Sequence, residues 1–200
     1  MTEIACAADL PQDWFPLPLD EDADAFGRRF AETVSQDLRE QAQIELSADH
    51  VVDLAHDVTA FTRHAQDMGA AFAAVHVPDP TGPVVAVVEC LAVDTDEAGW
   101  SHDLAELARE VAAPDETVAR ADVDRVELPC GQAVRVHEIT ARSEPGGREV
   151  QGTAVEKVMH YLPRPEQGAT VVLVTSWAAL GLAEQLVPMA DRIAASLTVD

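Results

Sequence analysis

Apolar residues recur every four positions in the N-terminal part of the chain. From Phe26 to Leu38 they stand four residues apart, after an acidic stretch that suits the first turn of a helix. This pattern predicts an amphipathic helix over about residues 21–43. Ser47 is a suitable N-cap for a second helix over about 48–69, which carries apolar residues at spacings of three and four.

After the second helix the apolar pattern becomes that of strands. Short apolar or alternating runs are separated by clusters rich in proline, glycine and aspartate. The predicted strands cover about residues 71–77, 84–93, 118–128, 133–140, 150–162 and 169–177. A short helix is predicted from Ser101 to Val111, and a C-terminal helix over 180–197 with a kink or a new start at Pro188.

These elements predict an α+β fold. Strands that follow one another through short turns favour antiparallel pairing. We therefore expect an antiparallel sheet of about six strands flanked by helices, with two long N-terminal helices and a C-terminal helix. The length of 200 residues fits a single domain over 1–200. Within it we distinguish an extended arm (1–19), a helical pair (20–70) and a sheet-and-helix body (71–200).

The arm contains the most conspicuous apolar segment outside the predicted sheet. Prolines in it disfavour a helix, and Trp14, Phe15 and Leu17 are too apolar for a free tail. Aromatic side chains of this kind are enriched at protein interfaces, which makes these three residues candidates for contact with a partner. The alternative is that the arm lies on the protein's own body, as an edge strand or a pinned segment.

Charge narrows the classes of partner. The chain has 36 acidic and 13 basic residues, a net charge of −23. Such a surface repels nucleic acid and anionic membranes, whereas a basic protein partner is compatible with it. The alternative is that this net charge only keeps the protein soluble. The N-terminus lacks a basic and apolar leader, and no long apolar run occurs, so the sequence predicts a cytoplasmic protein.

The cysteines do not form a recognisable framework. There are three, Cys6, Cys90 and Cys130, and none belongs to a CxxC pair. Cys90 stands in a valine-rich run and is expected to be a buried small residue. Cys130 follows Pro129 at a predicted turn and is expected to be partly exposed. The chain also lacks the glycine motifs of nucleotide binding, and no cofactor is predicted.

The second predicted helix carries a candidate metal site. His50, Asp53, Asp57 and His64 lie along one face of it, and imidazole and carboxylate are ligands for divalent metals. The two histidines are about 21 Å apart at the helical rise, so one ion cannot take both. A metal would need His50 with Asp53, or His64 with a residue from elsewhere. The alternative is a solvated polar face.

Other candidate residues fit ordinary structural roles. His137 and His160 lie on predicted strands and are expected to be surface or hydrogen-bonded core histidines. Ser176 ends a strand before a helix, but it lacks the flanking glycines of a nucleophile elbow. It is expected to be a strand-end or helix-cap residue.

A family resemblance comes from the second half of the chain. It rests on Gly131-Gln132-Ala133-Val134-Arg135-Val136, on Met159-His160-Tyr161-Leu162-Pro163, and on the terminal helix ending Ile193-Ala194-Ala195-Ser196-Leu197. Over about residues 71–199 the chain resembles uncharacterised cytoplasmic proteins of high-GC Gram-positive bacteria, with the PsbP-like sandwich shared by the Ran-binding Mog proteins. The resemblance implies an antiparallel sheet between helical layers and an accessory, binding role. It brings no catalytic motif.

The sequence leaves three functions open. The first is a non-enzymatic accessory or protein-binding module, with a basic protein as its partner and binding that weakens at high salt. The second is a small metal-dependent hydrolase that uses the His/Asp face of the second helix. The third is a self-assembling structural subunit of unknown oligomeric state.

Overall fold

A computed structural model describes residues 4–112, 118–142 and 153–200. The strands are β1 (Cys6–Ala7), β2 (Trp14–Pro16), β3 (Phe72–His76), β4 (Ala86–Asp94), β5 (Val118–Leu128), β6 (Gly131–Arg142), β7 (Thr153–Arg164), β8 (Ala169–Trp177) and β9 (Thr198–Val199). The helices are α1 (Ala23–Gln41), α2 (Ala48–Asp67), α3 (Leu104–Val111) and α4 (Ala183–Ala195), with 3-10 turns at Pro165–Gln167 and Leu180–Leu182. The start of the predicted strand 150–162 lies outside the described residues.

The predicted α+β class is confirmed. Seven strands form one antiparallel sheet in the order β2-β3-β4-β8-β7-β6-β5, and helices flank it. The expected number was about six, and the additional strand is β2, which pairs with β3 at the sheet edge. A second, two-stranded sheet joins β1 to β9 and was not predicted, because two-residue strands leave no apolar alternation to recognise.

The two faces of the main sheet carry different helices. On the α1–α3 face, α1 and α2 cover the β3 side, and α3 covers β5 and β6. On the α4 face, the core includes Ile193 of α4 and the terminal sheet. Successive residues of a strand point to opposite faces, so Val87 and Glu89 of β4 face the α1–α3 side and Val88 faces α4.

The N-terminal arm lies on the protein's own sheet and helices. Trp14 is 6% exposed, stacks on His76 with ring centroids 5.0 Å apart, and donates its indole N–H to Met189 Sδ at 2.8 Å. Leu17 is also buried and packs in the cluster beneath α1 and α2. Phe15 packs edge-on against Phe30 of α1. The arm therefore completes the core instead of projecting from it.

Helix ends follow capping chemistry, with two corrections to the sequence-based bounds. Ser47 caps α2 as predicted, accepting the His50 N–H. The N-cap of α3 is Asp103 and not Ser101, because the Asp103 carboxylate accepts the first free amides of the helix. Pro188 neither starts nor divides the last helix, which runs through it. Pro188 lies inside α4, beyond its first turn, so its missing N–H removes one intrahelical hydrogen bond.

Candidate functional site

A buried glutamate joins three strands on the α4 face. The Glu156 side chain is 4% exposed, and His137 Nε2 lies 2.7 Å from its Oε1. The indole N–H of Trp177 donates to Glu156 Oε2 at 3.0 Å. Both carboxyl oxygens therefore have a partner. This arrangement connects β6, β7 and β8 and requires no group from outside the chain.

A second acidic group on the same face ties α4 to the sheet. Asp191 accepts two hydrogen bonds from the Arg135 guanidinium, at 2.7 and 3.1 Å, and lies 3.3 Å from His160 Nε2. Burial alone would raise the pKa of Asp191, but hydrogen bonds from His160 and Arg135 and their charges lower it to about 2. Arg135 and His160 stand opposite each other on β6 and β7.

The α4-face network consists of Arg135, His137, Glu156, His160, Trp177 and Asp191. Its two acids are matched by donors on adjacent strands. The sequence predicted surface or hydrogen-bonded core histidines at 137 and 160; His160 is buried and His137 is half-buried, and each lies beside an acid. Ion pairs with satisfied geometry position helices and strands, and this network does so for α4 and the middle of the sheet.

On the α1–α3 face, α2 and α3 pack on different parts of the sheet. Helix α2 packs mainly against β3 and α3 mainly against β6 and β5, which leaves the middle strands β4, β8 and β7 between them. The side chains on this part of the face are mostly half-buried. We call them the central strip, and they are Glu89, Leu91, Lys157, Val174 and Ser176.

Glu89 is the chemically unusual member of the central strip. It is 8% exposed, and its Oε1 has no hydrogen-bond partner among the described residues. Its Oε2 lies 3.9 Å from Nε2 of His64, whose side chain is 59% exposed. Burial raises the pKa of Glu89, and the nearby His64 charge opposes this rise only in part. The carboxyl group is thus desolvated, with only partial compensation from His64.

Among the described residues, no neighbouring polar group donates a hydrogen bond to Glu89 Oε1. Lys157 is the cation of the central strip, and its Nζ lies 3.7 Å from Glu138 Oε1. Glu89 pairs across the ladder with Ala73 on one side and Val174 on the other. A buried polar atom without a partner costs roughly 1–3 kcal/mol, and more when it is charged. Such a group is stabilised by an incoming donor, above all a cationic one.

The predicted metal residues divide between two places. His50, Asp53 and Asp57 line a surface cavity of about 330 Å³ together with the turn at 81–83. His64 lies elsewhere on α2, beside Glu89. In the described ranges, no group of three or more His, Cys, Asp or Glu side chains has a metal-binding arrangement. The metal-dependent hydrolase stays a prediction from the sequence.

The predicted partner-binding residues occupy the core instead of an open surface. Trp14 and Leu17 are buried, at 6% and 5% exposure, and Phe15 is half-buried. A partner could contact Trp14 or Leu17 only after displacing β2 from β3. Their role in partner binding stays a prediction.

Sequence reasoning missed Glu89. The run from Val84 to Val93 was interpreted as a buried central strand, and β4 does lie between β3 and β8. A single carboxylate within such a run was the available signal, because acidic residues are seldom fully buried without a partner. The missing hydrogen-bond partner of Glu89 Oε1 could not be predicted from the sequence, because it depends on which side chains of α2 lie over the strand.

Comparisons with known proteins identify no family for this chain. No family model matches the chain, and no curated protein matches it. Among solved structures, the chain is similar to LpqN of Mycobacterium tuberculosis, which is involved in cell envelope biogenesis. The two are 13% identical with a TM-score of 0.46, over 98% of this chain and 84% of that chain. No helix in the described part of the chain is long and apolar enough to cross a membrane.

Proposed function

We propose that the protein is a non-catalytic binding module that holds a basic segment of a protein partner on the central strip. Glu89 receives an arginine or lysine side chain of that segment. The observation that carries the proposal is the buried Glu89 carboxyl group, whose Oε1 has no hydrogen-bond partner in the described part of the chain. A guanidinium or ammonium group would supply the missing donor and the missing charge.

Access to Glu89 supports this role. Nε2 of His64 lies 3.9 Å from Glu89 Oε2, and the His64 side chain is more than half exposed. A ligand that reaches the carboxylate would displace the exposed imidazole of His64. Met68 follows one helical turn after His64 and is 53% exposed, which provides a flexible apolar contact for the rest of a bound segment.

The overall charge supports a basic partner. A net charge of −23 accelerates encounters with cations and discriminates against acidic competitors. Half-buried Leu91 and Val174 lie beside Glu89 on the central strip and would contact the alkyl part of an arginine or lysine side chain. Charge would thus govern the rate of encounter, and Glu89 the choice of side chain.

Peptide pools test the proposal. Four pools of nine-residue peptides with randomised flanks carry arginine, lysine, citrulline or leucine at the centre. Binding is measured on immobilised wild-type protein, on Glu89→Gln and on Glu166→Gln. Glu166 is an exposed acid in the turn after β7, so its substitution makes the same charge change away from the central strip.

The expected result is a preference for arginine and lysine pools over citrulline of about tenfold in the wild type, as for one charge-assisted hydrogen bond. Glu166→Gln should keep this preference and Glu89→Gln should lose it. Binding should weaken steeply from low to high salt. Equal binding of arginine and citrulline pools to the wild type, or an unchanged preference in Glu89→Gln, would show that Glu89 does not select a basic group.

The cytoplasmic location and the resemblance to Mog-like accessory proteins belong to the same proposal. A module that acts through a protein partner in the cytoplasm would combine the two. Fractionation of host cells with an antibody to the protein would test the location, with recovery in the cytosolic fraction as the expected result.

A further inference from the structure

The three cysteines of the chain converge on the α4 face. They come from three distant segments: Cys6 from β1, Cys90 from β4, and Cys130 from the turn between β5 and β6. Cys90 is fully buried, and Cys6 and Cys130 pack half-buried against the same core cluster. The convergence gives the free thiols a common environment.

Cys6 is the reactive member of this cluster. Its thiol is hydrogen-bonded to that of Cys90, which lowers the pKa of Cys6 against the effect of burial, and the Arg164 charge lowers it further. The Cys90 thiol is the donor, and its pKa is raised by that bond and by burial. Burial also raises the pKa of Cys130. Thiolate character, which governs reaction with peroxides, is therefore concentrated at Cys6.

Arg164 provides a positive group beside the thiols. Its Nη2 donates to the Cys130 carbonyl oxygen at 2.9 Å, and its Nε is buried without a hydrogen-bond partner among the described residues. Arg164 and Val199 line a surface cavity of about 300 Å³, and Val199 pairs with Cys6 in the terminal sheet. Cys6 is thus the cross-strand partner of a residue that lines this cavity.

We infer that Cys6 and Cys90 are an oxidation site, and that a hydroperoxide converts them reversibly to a disulfide. The Cys6 thiolate attacks one peroxide oxygen, so that an S–O bond forms, the O–O bond breaks, and the leaving oxygen departs as an alcohol or water after taking a proton. The Cys90 sulfur then attacks the Cys6 sulfur. An S–S bond forms, the S–O bond breaks, and the thiol proton leaves with the hydroxide as water. Two thiols lose two electrons and the hydroperoxide gains them.

The disulfide would fix the terminal sheet to a central strand. Cys6 and Ala7 of β1 pair with Val199 and Thr198 of β9, so the terminal sheet joins the N-terminal and C-terminal segments. A covalent bond from β1 to β4 would restrict the unfolded chain over a long loop. Oxidation should therefore raise the melting temperature without altering the sheet.

The test uses the reduced protein and hydrogen peroxide. Aliquots are alkylated at intervals, and intact mass and peptide maps identify the products. The wild type and Cys130→Ser should both lose two mass units and yield a Cys6–Cys90 linked peptide, whereas Cys6→Ser should yield none. The oxidised form should melt about 5–10 °C higher than the reduced form.

Arg164→Gln tests the role of the neighbouring cation. It should slow the disappearance of free Cys6 about fivefold, because less thiolate is present. A Cys6–Cys130 product, oxidation of Cys6 to the sulfinic acid without cross-linking, or a rate for Cys6 no higher than that of a free thiol would overturn the inference. Cys6 is half-buried in a two-residue strand, so its serine variant should fold, and circular dichroism checks this.

Discussion

The acids on the two faces of the sheet, buried or half-buried, differ in their hydrogen bonding. On the α4 face, Glu156 and Asp191 each have donors from neighbouring strands, and the pKa of Asp191 is held at about 2. On the α1–α3 face, Glu89 has an oxygen without a described partner, and its pKa is raised. An acid with full hydrogen bonding stabilises the fold, whereas an acid without it weakens the fold and is available to a ligand.

The largest effect should come from removing Glu156. Glu156→Ala leaves the buried Trp177 indole N–H and His137 without their acceptor, and should lower the free energy of unfolding by about 3 kcal/mol. Glu156→Gln keeps an acceptor for Trp177 and should lower it by only about 1 kcal/mol. Urea unfolding followed by circular dichroism measures both. Equal losses in the two variants would indicate that the hydrogen bonds contribute little.

A smaller loss is expected for Asp191→Asn, and it should depend on pH. The Asp191 side chain is 42% exposed, so the loss at pH 7 should be about 1–2 kcal/mol, below that of a fully buried pair. Because folding lowers the pKa from 3.8 to about 2, the wild-type advantage is complete above 3.8 and is lost as the pH falls through about 2. Unfolding titrations at several pH values would measure it. An advantage that persists below pH 2 would contradict the assignment.

Glu89→Gln should raise the free energy of unfolding, whereas the substitutions of Glu156 and Asp191 lower it. Folding raises the pKa of Glu89, so the penalty of its charge is absent below its ordinary value of 4.5 and grows as the pH rises through the folded-state pKa. The variant should be more stable than the wild type by about 1 kcal/mol at pH 8, with the gain fading towards pH 4. Calorimetric melting across this range tests it. Glu166→Gln serves as the control and should show no such trend.

The smallest effect is expected for His64→Ala. The imidazole is exposed and 3.9 Å from Glu89, so its removal should change stability by less than about 0.5 kcal/mol. It should raise the affinity for arginine-centred peptides about twofold, because an exposed side chain no longer covers the carboxylate. Binding curves on the same peptide pools measure this. A large loss of affinity would instead make His64 part of the binding surface.

Local patterns predicted most of the fold. The strands at 118–128 and 169–177 were placed at their observed bounds, because alternation and flanking turns are properties of short segments. The terminal sheet of β1 and β9 was missed, since its pairing depends on where the two chain ends meet. The candidate site was missed for the same reason. Glu89 Oε1 lacks a hydrogen-bond partner among the described residues because of how α2 and the neighbouring strands pack around it, and the spacing of residues along the chain does not report this packing.

The ionisation of Glu89 is the most direct test of its proposed role as the acceptor of a basic side chain. Carbon-13 labelling of glutamate side chains, with Glu89→Gln to assign the resonance, gives the pKa of Glu89 by NMR titration. We expect a pKa above 4.5 for Glu89 in the free protein, and a fall in that pKa on addition of an arginine-centred peptide from the bound pool but not of its citrulline analogue. A pKa at or below 4.5 in the free protein, or one that the bound arginine peptide leaves unchanged, would show that Glu89 does not have this role.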